Sequence, residues 1–80
     1  MFINKTSDGR NNICGKQIAY LRKQMQISQR ELADRLQIAG LDMDKNAVQR
    51  IESGQRFITD IELQVFCRVL ETSFESLYGN

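Results

Sequence analysis

Two capping boxes constrain this chain more than anything else in it: Ser28-Gln29-Arg30-Glu31 and Thr59-Asp60-Ile61-Glu62. In each, a hydroxyl can accept the backbone N–H three residues on, while the glutamate returns to the N–H of the capping residue. Only a helix start leaves those donors free, so the boxes mark two helix N-termini and argue against strands there. Ile27 just ahead of the first box and Leu32 just inside the helix form the matching hydrophobic staple. No proline occurs anywhere in the chain to interrupt a helix.

The apolar pattern fills in the rest. Cys14, Ile18, Leu21 and Met25 recur on one helical face, which predicts a first helix from Asn12 to about Met25. The second starts at the Ser28 cap, turns Leu32, Ala33 and Leu36 inward, and runs to about Ala39 with Gly40 as its stop. Asp44 caps a third helix that ends at Ser53-Gly54. Thr59 opens a fourth, to about Leu70, and Ser73 or Thr72 caps a short fifth carrying Phe74, Leu77 and Tyr78. Gln55 to Ile58 reads as a loop with Phe57 and Ile58 available to the core. No segment alternates as a strand does. The expected fold is all-α, five short helices in one domain over residues 12–80, preceded by a loose arm over residues 1–11.

The third helix raises the functional question. In 45-KNAVQRIESG-54, Ala47, Val48 and Ile51 share one face. Lys45, Asn46, Gln49, Arg50 and Ser53 lie across the other, with Glu52 at its flank. Amide side chains pair with adenine edges and Arg or Lys with guanine, so this row suits the major groove of a duplex.

Charge is distributed accordingly. Residues 1–58 hold ten Lys/Arg against six Asp/Glu, while residues 59–80 hold one against four. A basic front and an acidic tail suit a fold that turns one side toward an anion. Histidine is absent and the two cysteines, Cys14 and Cys67, are far apart without a CxxC. Metal binding, a disulfide framework and a cofactor are therefore not expected, and both thiols read as small buried hydrophobes. No nucleophile–base pair suggests itself, and 80 residues leave little room for a cleft, so an enzyme is set aside. No apolar run is long enough to span a bilayer and no signal peptide opens the chain, so a cytoplasmic, reduced setting is expected.

The runs 18-IAYLRKQMQISQRELADRL-36 and 48-VQRIESGQR-56 together resemble the Cro/phage-repressor (XRE-type) helix-turn-helix regulators. The shared pattern is a helix ending in Leu-Arg, then Ser-Gln-x-x-Leu-Ala, then Ile/Val-x-x-Ile/Leu-Glu-x-Gly. The resemblance implies a five-helix, lambda-repressor-like domain whose second and third helices form the helix-turn-helix, the third entering the major groove. It implies base contacts for Lys45, Asn46 and Arg50, with Gln49 between them. It implies phosphate contacts for Ser28 and Gln29 at the start of the second helix, and for Ser53 and Arg56 around the loop after the third. It also implies a buried ion pair of Arg22 with Glu52. The expected function is a sequence-specific transcriptional regulator, a repressor, bound to double-stranded DNA; the alternative is a protein-interaction adaptor on the same fold.

One departure is the connection 37-QIAGLDM-43, about five residues longer than the family's tight turn. Its Ile38, Leu41 and Met43 predict an ordered extension, with Gly40 in the left-handed conformation and Asp44 placing Lys45 and Asn46 in the first turn of the next helix. Finally, a chain this short buries only roughly 60% of its unfolded surface, and a second subunit would help. The fourth helix carries two apolar stripes, Leu63, Phe66, Cys67 and Leu70, and Ile61, Val65 and Val69. This predicts a homodimer through Val69, Phe74, Leu77 and Tyr78, which implies a near-palindromic operator.

Overall fold

Each capping residue closes as its chemistry predicts. Ser28 Oγ accepts the Glu31 N–H and Glu31 Oε1 accepts the Ser28 N–H, both at 3.0 Å. Thr59 and Glu62 repeat the exchange at 3.1 and 2.9 Å. Asp44 Oδ1 accepts the Ala47 N–H at 2.8 Å. The structure, a computed structural model, describes residues 4–78. The first three residues of the expected arm and the last two of the expected domain lie outside them. The helices are α1 (Gly15–Gln24), α2 (Gln29–Ile38), α3 (Lys45–Ser53), α4 (Asp60–Val69) and α5 (Phe74–Tyr78), with no strand among the described residues.

α1 begins at Gly15, later than the periodicity predicts, because Asn12 stays outside the helix. Its Oδ1 accepts the Gly15 N–H at 2.8 Å, and its amide group is committed elsewhere. All four longer helices end alike. Just past the last turn, a backbone N–H reaches back to the carbonyl five residues earlier, as in Leu41 to Leu36 (2.9 Å) and Gln55 to Arg50 (2.8 Å). That geometry needs a left-handed residue. Gly40 (φ 100°) and Gly54 (φ 85°) supply it for α2 and α3, whereas Gln26 (φ 60°) and Glu71 (φ 54°) are forced into it after α1 and α4.

The core is one cluster. Ile18, Leu32, Leu36, Val48, Ile51, Phe66 and Leu77 are buried to 1% exposure or less, drawn from all five helices. α3 packs against both α1 and α2, while α5 closes on α1 and α4. The long connection between α2 and α3 is ordered. Met43 is buried, Leu41 is half-buried, and Gln37 Nε2 donates to Met43 O at 3.1 Å. Ile38 is left 87% exposed.

Three expectations are corrected. Phe57 is exposed rather than in the core: Asn12 and Arg56 hold the Arg56 and Phe57 carbonyls so that Ile58 alone packs inward. Leu77, expected at a subunit interface, is 1% exposed and spent on the chain's own core. The segment read as a loose arm is tied down at its C-terminal end, where Asn11 N–H donates to Gly54 O at 2.7 Å and Arg10 Nη2 to Glu52 O at 2.6 Å. Both cysteines are free. Burial pushes the Cys14 thiol up to about 11, so it behaves as a packed hydrophobe rather than a nucleophile.

Candidate nucleic-acid interface

α3 divides cleanly. Val48 and Ile51 are fully buried, Ala47 packs beside them, and Lys45, Asn46, Gln49, Arg50 and Ser53 are all exposed. Asn46, Gln49, Arg50 and Ser53 line one shallow concavity, and Gln55 joins them from the loop beyond. Lys45 lies on the adjoining groove between α2 and α3, with Arg30, Asp34, Gln37 and Asp44. Helix capping fixes this placement, since Asp44 starts α3 where Lys45 and Asn46 fall in its first turn.

Three of the other arginines contrast with Arg50. The guanidinium groups of Arg10, Arg22 and Arg56 are all engaged within the chain, while among the described residues the side chain of Arg50 has no partner. Arg22 meets Glu52 through two bonds, Nε–Oε2 at 2.7 Å and Nη2–Oε1 at 3.0 Å. A bidentate pair of this kind fixes direction as well as distance. Gln29 Nε2 adds a third bond to Glu52 Oε1 at 3.0 Å, so the start of α2 is locked to the end of α3. Arg22 Nη1 also donates to Ile27 O at 2.8 Å, closing the turn between α1 and α2.

The residues expected at phosphate are placed less uniformly. Ser28 is exposed at the α2 N-terminus with its oxygen accepting the cap bond. Gln29 uses one N–H on Glu52 and is half-buried. Ser53 Oγ donates to Arg50 O at 3.2 Å. Arg56 is not a free loop charge: its guanidinium clasps Glu62 at 3.0 and 3.2 Å. Hydrogen bonding to Glu62 pushes Arg56 up, and the same contact holds the Glu62 carboxyl below its usual range.

A helix-turn-helix family model matches residues 18–77, from within α1 into α5. The chain belongs to the helix-turn-helix family. No curated protein and no solved structure matches it. This helix-turn-helix protein is thus a DNA-binding regulator of the Cro/XRE type, in a family that is not one of enzymes. Its helix-turn-helix is α2, the ordered connection 39–44, and α3. None of its described helices is long and apolar enough to cross a membrane, and no metal-binding cluster occurs among the described residues.

Sequence reasoning missed Gln55 as part of the concave face, and it missed Arg10, Asn11 and Asn12 altogether. For Asn12 a signal existed: an Asn just ahead of an apolar helical run is a candidate helix-start residue, and its Oδ1 takes the first N–H of α1. For Arg10 and Asn11 there was none, because a single contact distant in sequence leaves no period.

Proposed function

We propose that this protein reads a specific duplex sequence by placing α3 in the major groove, and that it acts as a repressor by occupying its operator against polymerase. The observation that carries this reading is the exposed row Asn46, Gln49, Arg50 on a helix capped by Asp44 and braced at its C-terminal end through Glu52. Amide and guanidinium groups in such a row can each make two bonds to one base edge. Lys45 would extend the row at its N-terminal end. Ser28, Gln29 and Ser53 flank it and would hold phosphate, helped by free N–H groups at the start of α2. Arg56 is bound to Glu62, so its part is to stiffen the loop.

The protein would bind as a two-fold dimer on a near-palindromic operator, with half-sites one turn apart, about 34 Å. Support comes from Phe74 and Tyr78, 42% and 50% exposed on α5, and from the half-buried Val69 at the end of α4. Selecting bound duplexes from a random pool tests the whole reading. A near-palindromic consensus bound with steep salt dependence is the expected result. Equal affinity of the wild type and a Gln49→Ala/Arg50→Ala double variant for that consensus would overturn it.

A further inference from the structure

The family match begins at Ile18, so residues 10–12 lie outside it. Yet they hold the end of the helix on which the proposed recognition depends. The Arg10 side chain runs through a slot kept open by two glycines on different elements. A Cβ on Gly54 would come within 2.8–2.9 Å of Arg10 Cγ, Cβ and Cζ. One on Gly15 would meet Arg10 Nη2 and Asn12 Oδ1 at 2.7 Å and run into the Ile51 carbonyl. Inside the slot, Arg10 Nη2 donates to Glu52 O at 2.6 Å. Asn12 Nδ2 donates to Ile51 O at 3.0 Å and to Arg56 O at 2.8 Å, and its Oδ1 takes the Gly15 N–H. Asn11 adds Nδ2 to Gln55 O at 2.9 Å.

The last carbonyls of a helix have no partner within it, and the helix dipole makes that end negative. Here two of those carbonyls, of Ile51 and Glu52, are met by a neutral amide and a cation from a segment that precedes α1. The same asparagine joins three elements: the start of α1, the end of α3 and the loop to α4.

We infer that Arg10 and Asn12 are positioning residues for DNA recognition. They fix the angle of α3 and of the Gln55–Arg56 loop, so that Asn46, Gln49 and Arg50 meet base edges together. The inference rests on the DNA reading above. Neither residue is assigned a DNA contact, because Arg10 Nη2 and Asn12 Nδ2 are committed to backbone carbonyls and Arg10 Nε is buried. Base contacts are short and directional, whereas phosphate contacts tolerate sway, so a loosened α3 loses sequence discrimination first.

The test compares full-length wild type with Arg10→Ala, Arg10→Lys and Asn12→Asp by amide hydrogen exchange and by binding to the selected operator and to a random duplex across salt. Asn12→Asp keeps the acceptor for Gly15 and removes the donor to Ile51 and Arg56, so it serves if Arg10→Ala does not fold. In the alanine and aspartate variants the amides of residues 54–56 should exchange faster than in wild type. The operator-to-random affinity ratio should fall roughly tenfold, about the worth of one misaligned base contact, at an unchanged salt slope. Arg10→Lys should recover part of the ratio, since an ammonium can still donate to Glu52 O. An unchanged ratio overturns the inference, and so does a salt slope lowered by about one, which would mean a direct phosphate contact. If the wild type prefers no duplex, the DNA reading fails by itself, and the exchange data still decide whether the clip holds α3.

Discussion

Arg22 and Glu52 join α1 to the last turn of α3 by paired bonds of 2.7 and 3.0 Å, with their side chains only 11% and 7% exposed. The pair is shared further: Gln29 donates to the same carboxylate, and Arg22 also holds the carbonyl of Ile27. One ion pair thus sets the position of both helices of the motif. Removing the charge of Glu52 leaves a guanidinium in a largely dry place without its counter-ion. Breaking such a pair costs on the order of 3–5 kcal/mol. For a domain of this size each kcal/mol lowers the melting temperature by about 4–8 °C. Glu52→Gln should therefore lower it by more than about 10 °C in a calorimetric scan, and an unchanged transition would show that the brace carries no energy.

Gly15 sets helix propensity against sterics. It is the first residue of α1, and alanine is the better helix former, by up to about 1 kcal/mol in a helix interior. But an added Cβ would collide with the Ile51 carbonyl and crowd Arg10 and Asn12. Overpacking of this kind costs about 1–3 kcal/mol, and here the obstacle is backbone that cannot swing aside. Gly15→Ala should destabilise the protein in urea titration. Gly40→Ala is the control: its φ of 100° brings strain, but no atom lies within 4 Å. A stabilised Gly15→Ala variant would refute the close approach of α1 and α3.

The places where sequence reasoning succeeded are local. Ser28, Asp44, Thr59 and Gly54 act within three or four residues of themselves, so their signals sit side by side in the chain. The outward row of α3 was legible because helical geometry alone separates Gln49 and Arg50 from Val48 and Ile51. The positions of Phe57, Arg56 and Leu77 were not legible. Each depends on what arrives from elsewhere: Asn12 on the Arg56 carbonyl, Glu62 on the Arg56 guanidinium, and α1 and α4 around Leu77. The turn after α4 is a related case, since nothing in Leu70-Glu71-Thr72 announces a left-handed residue.

That turn makes a prediction of its own. Glu71 holds φ 54°, a conformation that costs a side-chain-bearing residue roughly 1–2 kcal/mol and glycine almost nothing. Its side chain is exposed and among the described residues has no partner. Glu71→Gly should raise stability by about 1 kcal/mol, part of the relief being offset by the greater freedom of glycine in the unfolded chain. A drop in the denaturant midpoint would count against the helix end described here.

Acid should loosen the α3–α4 loop. Hydrogen bonding from Arg56, and then from the Thr59 N–H, holds the Glu62 carboxyl below its ordinary value of 4.5. A carboxyl depressed in the folded state contributes stability above its unfolded pKa and loses it as pH falls through the folded one. Stability should therefore begin to decline as pH approaches 4.5 from above and keep falling through the lower folded value. In Glu62→Gln the decline over that window should be shallower. Identical acid titrations of the two proteins, followed by circular dichroism, would show that the clasp is energetically silent.

Two arginines near the end of α3 should fail in different ways. Arg50 is exposed in the concave row, with no side-chain partner among the described residues. Arg56, six residues on, is held by Glu62. If Arg50 reads a base edge, Arg50→Ala should leave stability within about 0.5 kcal/mol of wild type, as surface changes do. It should cost about 1–3 kcal/mol of operator binding and relax preference at one base pair. Arg56→Ala should do the reverse in part. It removes a half-exposed ion pair that closes a capping box, so stability should fall measurably, while the slope of log affinity against log salt stays as it was. A phosphate contact by Arg56 would instead flatten that slope by about one. Measuring melting, salt slope and base preference on the same two variants separates a reader from a brace. Were Arg50→Ala to weaken every duplex alike, Arg50 would be assigned to the phosphate backbone and the row on α3 would lose its central reader.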